Sequence, residues 1–219
     1  MIEPFAVLLA LLPLIAYLVV FSLIRLSGSQ LVTTGGRDLA AVAFAVSGLI
    51  MIGPLELFFP RPAATVFGAK VWIVLALFYV LCVLLVALTS RPKLVIYGRT
   101  PRETFDPLLA AARVIDADAT GDRETRQVFL PNAAVRLRVA GPRTIDYAEI
   151  IAFEPDVPPS VWTRLLSELR RELGRSKLTR RHGGWAMLIV AGLLSGLLIW
   201  YSFGNQELLV QGFKSWFWR

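Results

Sequence analysis

The residues of this sequence best spaced for chemistry are the three aspartates in Asp116-Ala117-Asp118-Ala119-Thr120-Gly121-Asp122. Carboxylates at alternate positions ahead of a glycine are how a calcium loop wraps its ion in oxygen ligands. The pattern stops halfway: Arg123 stands where an apolar residue would follow, and Gln127 stands where a bidentate glutamate belongs. Asp116, Asp118 and Asp122 are therefore expected first as shapers of a solvated turn that accept backbone amide hydrogens, and as calcium ligands only second.

Four other groups invite a chemical reading. Glu56 is a carboxylate inside an otherwise apolar segment, where such groups can serve proton or ion paths. It stands without the chain of partners a relay needs and close to the segment's end, so snorkelling, or pairing with Arg61 or Lys70, is the expected role. His182 is the sole histidine and has neither a nucleophile nor further metal ligands near it in sequence. The cations Arg170, Arg171, Arg175, Lys177, Arg180 and Arg181 precede an apolar segment, an arrangement that attracts anionic lipid and that membrane topology produces without any ligand. Finally, Gly192 and Gly196 form a GxxxG pattern that permits close helix packing, by default within the chain.

The elements that must hold these residues fall into two compositional classes. Of the 219 residues 56% are hydrophobic and only 18% charged, yet residues 91–181 carry 17 of the 23 Lys and Arg and 12 of the 16 Asp and Glu. The remainder reads as membrane. Apolar runs at about 4–26, 39–59 and 71–89, and a fourth within 184–204, are each long enough to cross a hydrocarbon core of roughly 30 Å at 1.5 Å per residue. The polar connector Ser27 to Gly36 is glycine-rich but lacks the order of a phosphate-binding loop, and a plain turn is expected there. The tail, 205–219, has an aromatic face that either lies in the membrane interface or packs on the spans.

Residues 91–183 are expected to form a small soluble α+β domain in the order β-α-β-β-β-α with a mainly antiparallel sheet. Leu94 to Tyr97 is a short apolar strand; Thr100-Pro101-Arg102-Glu103 is a capping box that starts a helix, with Asp106-Pro107 a competing start. Val135-Arg136-Leu137-Arg138-Val139 alternates strictly, so one face of the sheet, bearing Arg136 and Arg138, is wet or meets something acidic. Trp162, Leu165, Leu166, Leus 169 and 173 recur at helical spacing and predict a second amphipathic helix.

The expected protein is thus a polytopic α-helical membrane protein of four spans with an inserted α+β domain. Lys and Arg near the span ends put that domain on the cytoplasmic side of the cell membrane, with both termini opposite. No cofactor is expected, and the net charge of +7 is explained by topology without nucleic acid. The leading reading of function is a non-enzymatic scaffold, accessory or regulatory subunit that binds a protein partner or itself. The alternative is a membrane-surface enzyme or sensor for an anionic lipid or amphiphile.

Overall fold

A computed structural model describes residues 4–28, 30–53, 70–142, 146–175 and 183–217, with residue 183 and residues 215–217 as backbone. Glu56, Arg61, Lys177, Arg180, Arg181 and His182 lie outside the described residues. The chain divides into two compact units: Met1–Ser22, Leu39–Thr89 and Trp185–Arg219 in one, Leu23–Asp38 and Ser90–Gly184 in the other.

The first unit is built from α1 (Pro4–Leu26), α2 (Gly35–Ile52), α3 (Lys70–Thr89), α6 (Gly183–Phe203) and the shorter α7 (Gln206–Phe217), although α1 ends and α2 and α6 begin in the other unit. Windows of α1, α2, α3 and α6 have mean hydropathies of 2.8, 1.5, 3.1 and 2.0, so all four are long and apolar enough to cross a membrane. No more than 17% of any of these windows is buried. What packing there is uses small residues and backbone acceptors. A Cβ on Gly48 would collide with the Leu9 carbonyl oxygen and come within 2.7 Å of that of Ala10, so only glycine lets α2 lie this close to α1. The Tyr79 hydroxyl donates to the Ala43 carbonyl at 2.6 Å. Gly212 of α7 lies against Phe5, and Phe213 meets the Phe5 ring edge-on at 5.9 Å. Of the two expectations for the tail, packing on the long helices is met at this point, while Leu208, Val210 and Phe213 stay at least partly open to the surroundings.

The second unit is an antiparallel sheet of six strands in the order β1-β2-β6-β5-β4-β3. The strands are β1 (Leu31–Thr34), β2 (Lys93–Tyr97), β3 (Thr120–Asp122), β4 (Gln127–Leu130), β5 (Val135–Ala140) and β6 (Tyr147–Ala152). Helices α4 (Pro101–Ile115) and α5 (Pro159–Arg175) cover one face. Leu94, Ile96, Leu108, Val128, Leu137, Ile150, Leu165 and Leu169 meet between sheet and helices with no exposed surface at all.

Two strands go beyond the sequence expectation. The connector expected to be a plain turn contains β1, which pairs along β2 from Leu31↔Tyr97 to Thr34↔Leu94, and α2 starts directly after it at Gly35 rather than near residue 39. The Val-Thr-Thr run is β-branched and suits a pleated surface. β2 offers an edge whose amides and carbonyls need partners. The other addition is β3, part of the aspartate run, which pairs with β4.

Helix α4 starts as its capping box predicts: the Thr100 amide donates to Glu103 Oε2 at 2.9 Å and the Thr100 hydroxyl oxygen accepts from the Glu103 amide at 3.5 Å. The competing start at Pro107 is not taken. Pro107 has no N–H for the carbonyl of Glu103 one turn back, and Arg99 Nη1 donates to that carbonyl instead, at 3.3 Å. The guanidinium that repairs the helix is itself buried.

Candidate partner-binding face

The register assigns every strand residue to one of two faces. Val32, Leu94, Ile96, Ala148, Ile150, Leu137, Val139, Val128 and Leu130 point to the helices; Thr33, Lys93, Val95, Tyr97, Tyr147, Glu149, Ile151, Arg136, Arg138, Gln127 and Phe129 point to the opposite, far face. The far face is itself divided in two.

Its β1-β2-β6 part is a closed polar network. Lys93 Nζ donates to Glu149 Oε1 at 2.9 Å, the Tyr147 hydroxyl donates to the same oxygen, and Tyr97 donates to Asp38 Oδ1 at 2.7 Å. The two tyrosine rings lie 5.4 Å apart. Asp38 belongs to the first turn of α2, and Gly35 in that turn sits over the Lys93 stem, where a Cβ would come within 2.6 Å. At the edge, Arg25 of α1 pairs with Asp146 at 3.4 Å, both side chains nearly buried. Burial, and next the hydrogen bond to Glu149, push the Tyr147 hydroxyl above its ordinary value. Burial also pushes the Glu149 carboxyl up, but hydrogen bonds from Tyr147 and Lys93 and the Lys93 charge outweigh it and hold the group below its ordinary value.

The helix-covered side ties down the same connector. Gln30 Nε2 donates to the Leu173 carbonyl at 3.0 Å and Gln30 Oε1 accepts from Arg99 Nε at 3.1 Å. Arg170, expected as a lipid contact, donates through Nε and Nη2 to the Val32 carbonyl at 3.2 and 2.8 Å. It satisfies the outer edge of β1, which would otherwise be a template for strand addition. Residues 23–38 are therefore part of the domain rather than a link to it.

The β4-β5-β6 part of the far face is open. Arg136 and Arg138 are exposed and neither has an ion pair among the described residues. Phe129, directly across from Arg136, lies with its ring centroid 5.7 Å from the guanidinium. The amide of Phe153 donates to the Arg136 carbonyl at 3.0 Å, and its ring is 48% exposed. Arg138 stands between Gln127 and Ile151. Arginine with exposed aromatic side chains is the composition of a protein-binding surface.

The other sequence candidates are placed as follows. Arg171 pairs with Glu168 at 2.6 Å and Arg175 with Glu172 at 2.9 Å, both on α5. Together with Arg170, every described member of the basic run is engaged within the domain. Asp116 is buried: its Oδ2 accepts the Asn132 amide at 2.8 Å, and its Oδ1 accepts Asn132 Nδ2 at 2.7 Å and the Asp118 amide at 3.2 Å. Asp122 accepts the Glu124 amide at 2.9 Å and the Thr125 hydroxyl at 2.7 Å, and these bonds, Thr125 first, hold its carboxyl below the usual range. Asp116 and Asp122 thus shape two different turns, and among the described residues no group of three His, Cys, Asp or Glu is placed to hold a metal. For Gly192 and Gly196 the expected packing within the chain does not occur among the described residues. A Cβ on either would meet nothing within 4 Å, and it is Ala191, 1% exposed, that marks the packed side of α6.

Sequence reasoning missed the network of Arg25, Gln30, Asp38, Tyr97, Tyr147 and Glu149. The one signal that could have found it is the β-branched run Val32-Thr33-Thr34 inside the supposed turn. Compared with protein-family models, with curated proteins and with solved structures, the chain matches none.

Proposed function

We propose that the chain is an integral membrane protein whose α1, α2, α3 and α6 span the bilayer and anchor the α+β unit as a binding module, a scaffold or regulatory subunit, for an acidic protein partner. One observation carries the reading: the open strip of Arg136, Arg138, Phe129 and Phe153 on an otherwise satisfied sheet. Of the basic run, Arg171 and Arg175 pair with α5 carboxylates and Arg170 holds the β1 edge, which favours the strip over these three as the contact surface. Charged residues gathered at the chain's passages between the units favour a cytoplasmic position for the module.

The test is chemical cross-linking of the full chain in its native membrane, followed by purification and mass spectrometry, for wild type and for Arg136→Glu with Arg138→Glu. A stoichiometric partner captured by wild type and lost at least tenfold in the double variant is expected. Capture that is equal in both discards the strip as the binding surface. Sidedness is read from Asp118→Cys in a Cys82→Ala background. A membrane-impermeant thiol reagent should label it only after permeabilisation, and labelling of intact cells overturns the cytoplasmic position.

A further inference from the structure

On the helix-covered side of the sheet, away from the open strip, the β3-β4 hairpin leans on α4 and leaves a cleft of about 320 Å³ lined by Arg102, Phe105, Asp106, Arg123, Glu124 and Arg126. Its hairpin wall, Arg123, Glu124 and Arg126, follows directly on the residues that looked like half a calcium loop. Gly121 faces the helix, and a Cβ there would come within 3.0 Å of both Phe105 and Leu109, so glycine sets how closely the hairpin approaches. Asp122 then fixes the turn, through the Glu124 amide and the Thr125 hydroxyl. The turn closes with Arg126 at φ +57°, a left-handed conformation that non-glycine residues adopt rarely and that clusters at ligand clamps. The Arg126 carbonyl accepts the Val139 amide at 3.0 Å, which secures that residue to β5.

The charges in the cleft do not cancel. Arg123 pairs with Asp106 at 2.7 Å, which leaves Arg102 and Arg126 against the single carboxylate of Glu124, and neither arginine has an ion pair among the described residues. Arg102 of α4 and Arg126 of the hairpin both line the cleft, and guanidinium groups are fork-shaped donors to an oxyanion. Glu124, an acceptor beside them, suits a hydroxyl or amine on the same ligand. The size is that of a small-molecule site at the lower end of the usual range of roughly 300–1,000 Å³.

We infer that this cleft binds a small phosphate monoester bearing a neighbouring hydroxyl or amine, with Arg102 and Arg126 on the phosphate and Glu124 on the neighbouring group. The site is independent of the partner strip on the far face. It would give the module a small-molecule input separate from its protein contact.

The experiment is calorimetric titration of the purified full chain in neutral detergent with inorganic phosphate, with glycerol 3-phosphate and with short-chain lysophosphatidic acid, the last two, which both keep a hydroxyl beside the phosphate, separating a free ester from a lipid headgroup. Arg102→Gln removes one donor. Arg126→Gly removes the other while relieving the left-handed backbone, so a folding defect does not confound it. Arg164→Gln, exposed on α5, is the control. Saturable binding of either ester, weakened at least tenfold by Arg102→Gln and by Arg126→Gly and unchanged by Arg164→Gln, is expected. Preference for glycerol 3-phosphate over lysophosphatidic acid assigns a soluble metabolite, and the reverse assigns a lipid headgroup. No binding of any of the three at about 10 mM, or binding that ignores Arg102 and Arg126, overturns the inference.

Discussion

The two units of this chain handle apolar surface in opposite ways. In the α+β unit Leu94, Ile96, Leu108, Leu137, Leu165 and Leu169 have no exposed surface, and the described charged residues other than Arg99, Asp116 and Asp146 reach the outside. In the helical unit α3 alone leaves Leu77, Leu81, Leu85 and Leu88 between 62% and 83% exposed. At roughly 25 cal/mol per Å², contiguous apolar surface of that extent is unfavourable in water and marks an interaction surface. The same surface is neutral in hydrocarbon. The difference is the one expected if, as proposed, the helical unit lies in a bilayer. In the α+β unit burial drives assembly; in a bilayer lipid is as apolar as leucine and contact would depend on close packing of small residues.

Truncation separates the two regimes most strongly. Leu137→Ala leaves a cavity between sheet and helices and should lower the stability of the α+β unit by about 2–5 kcal/mol. Leu88→Ala opens no cavity and should change stability by less than about 0.5 kcal/mol. Hydrogen exchange of the sheet amides in lipid nanodiscs reads the first, and thermal unfolding of the whole protein in the same discs reads the second. If Leu88→Ala destabilises as much as Leu137→Ala, α3 is packed against protein rather than lipid and the comparison fails.

The next contrast lies inside the helical unit. Gly48 faces the Leu9 and Ala10 carbonyls, whereas Gly192 and Gly196 face open space. Gly48→Leu forces α1 and α2 apart and should cost about 1–3 kcal/mol, visible as a lower unfolding temperature in detergent. Gly192→Leu should leave that temperature unchanged. A loss at Gly192 equal to that at Gly48 would mean that something outside the described chain packs on α6 and is retained on purification.

How legible each part was follows from the same division of solvents. The alternation around Arg136 and Arg138, the heptad-like leucines of α5 and the capping box at Thr100 are written in local periods of two and 3.6 residues, and all were readable. The strand β1 was not, because Leu31 to Thr34 is bounded by glycines and becomes a strand only when β2, some sixty residues later, supplies its partner. Arg170 carries no local mark of capping the Val32 carbonyl; its sequence context is a basic run. The GxxxG pair misled for a related reason: small-residue spacing permits packing on one helix face, and Ala191 beside it marks the face that is used. Asp116 and Asp122 form turns as expected, Asp116 a buried one, while the Asp118 carboxylate holds no turn amide among the described bonds; Arg123 and Arg126 become neighbours of Arg102 only through tertiary contact of the hairpin with α4.

The smallest expected effect concerns the polar network that joins connector and domain. Tyr147 has its hydroxyl raised above 10.0 by burial and by Glu149, so the folded state holds that proton more tightly than the unfolded one. Its contribution is complete below pH 10 and is lost as pH rises above it. Glu149 has its carboxyl held below 4.5, so its contribution is present above that pH and is lost as pH falls through the folded value. The α+β unit should therefore unfold at a constant temperature between these limits and at lower temperatures on either side. Tyr147→Phe removes the alkaline limb. By withdrawing one of the two hydrogen bonds to Glu149, it also shallows the acid limb, leaving Lys93 alone to hold the carboxylate. The check is thermal unfolding followed across pH for both proteins. An alkaline limb unchanged in Tyr147→Phe would show that the connector is held to the sheet by Tyr97 and Asp38 without help from the Tyr147 pair. The slopes would then belong to the remaining ionisable groups rather than to the junction that completes the domain.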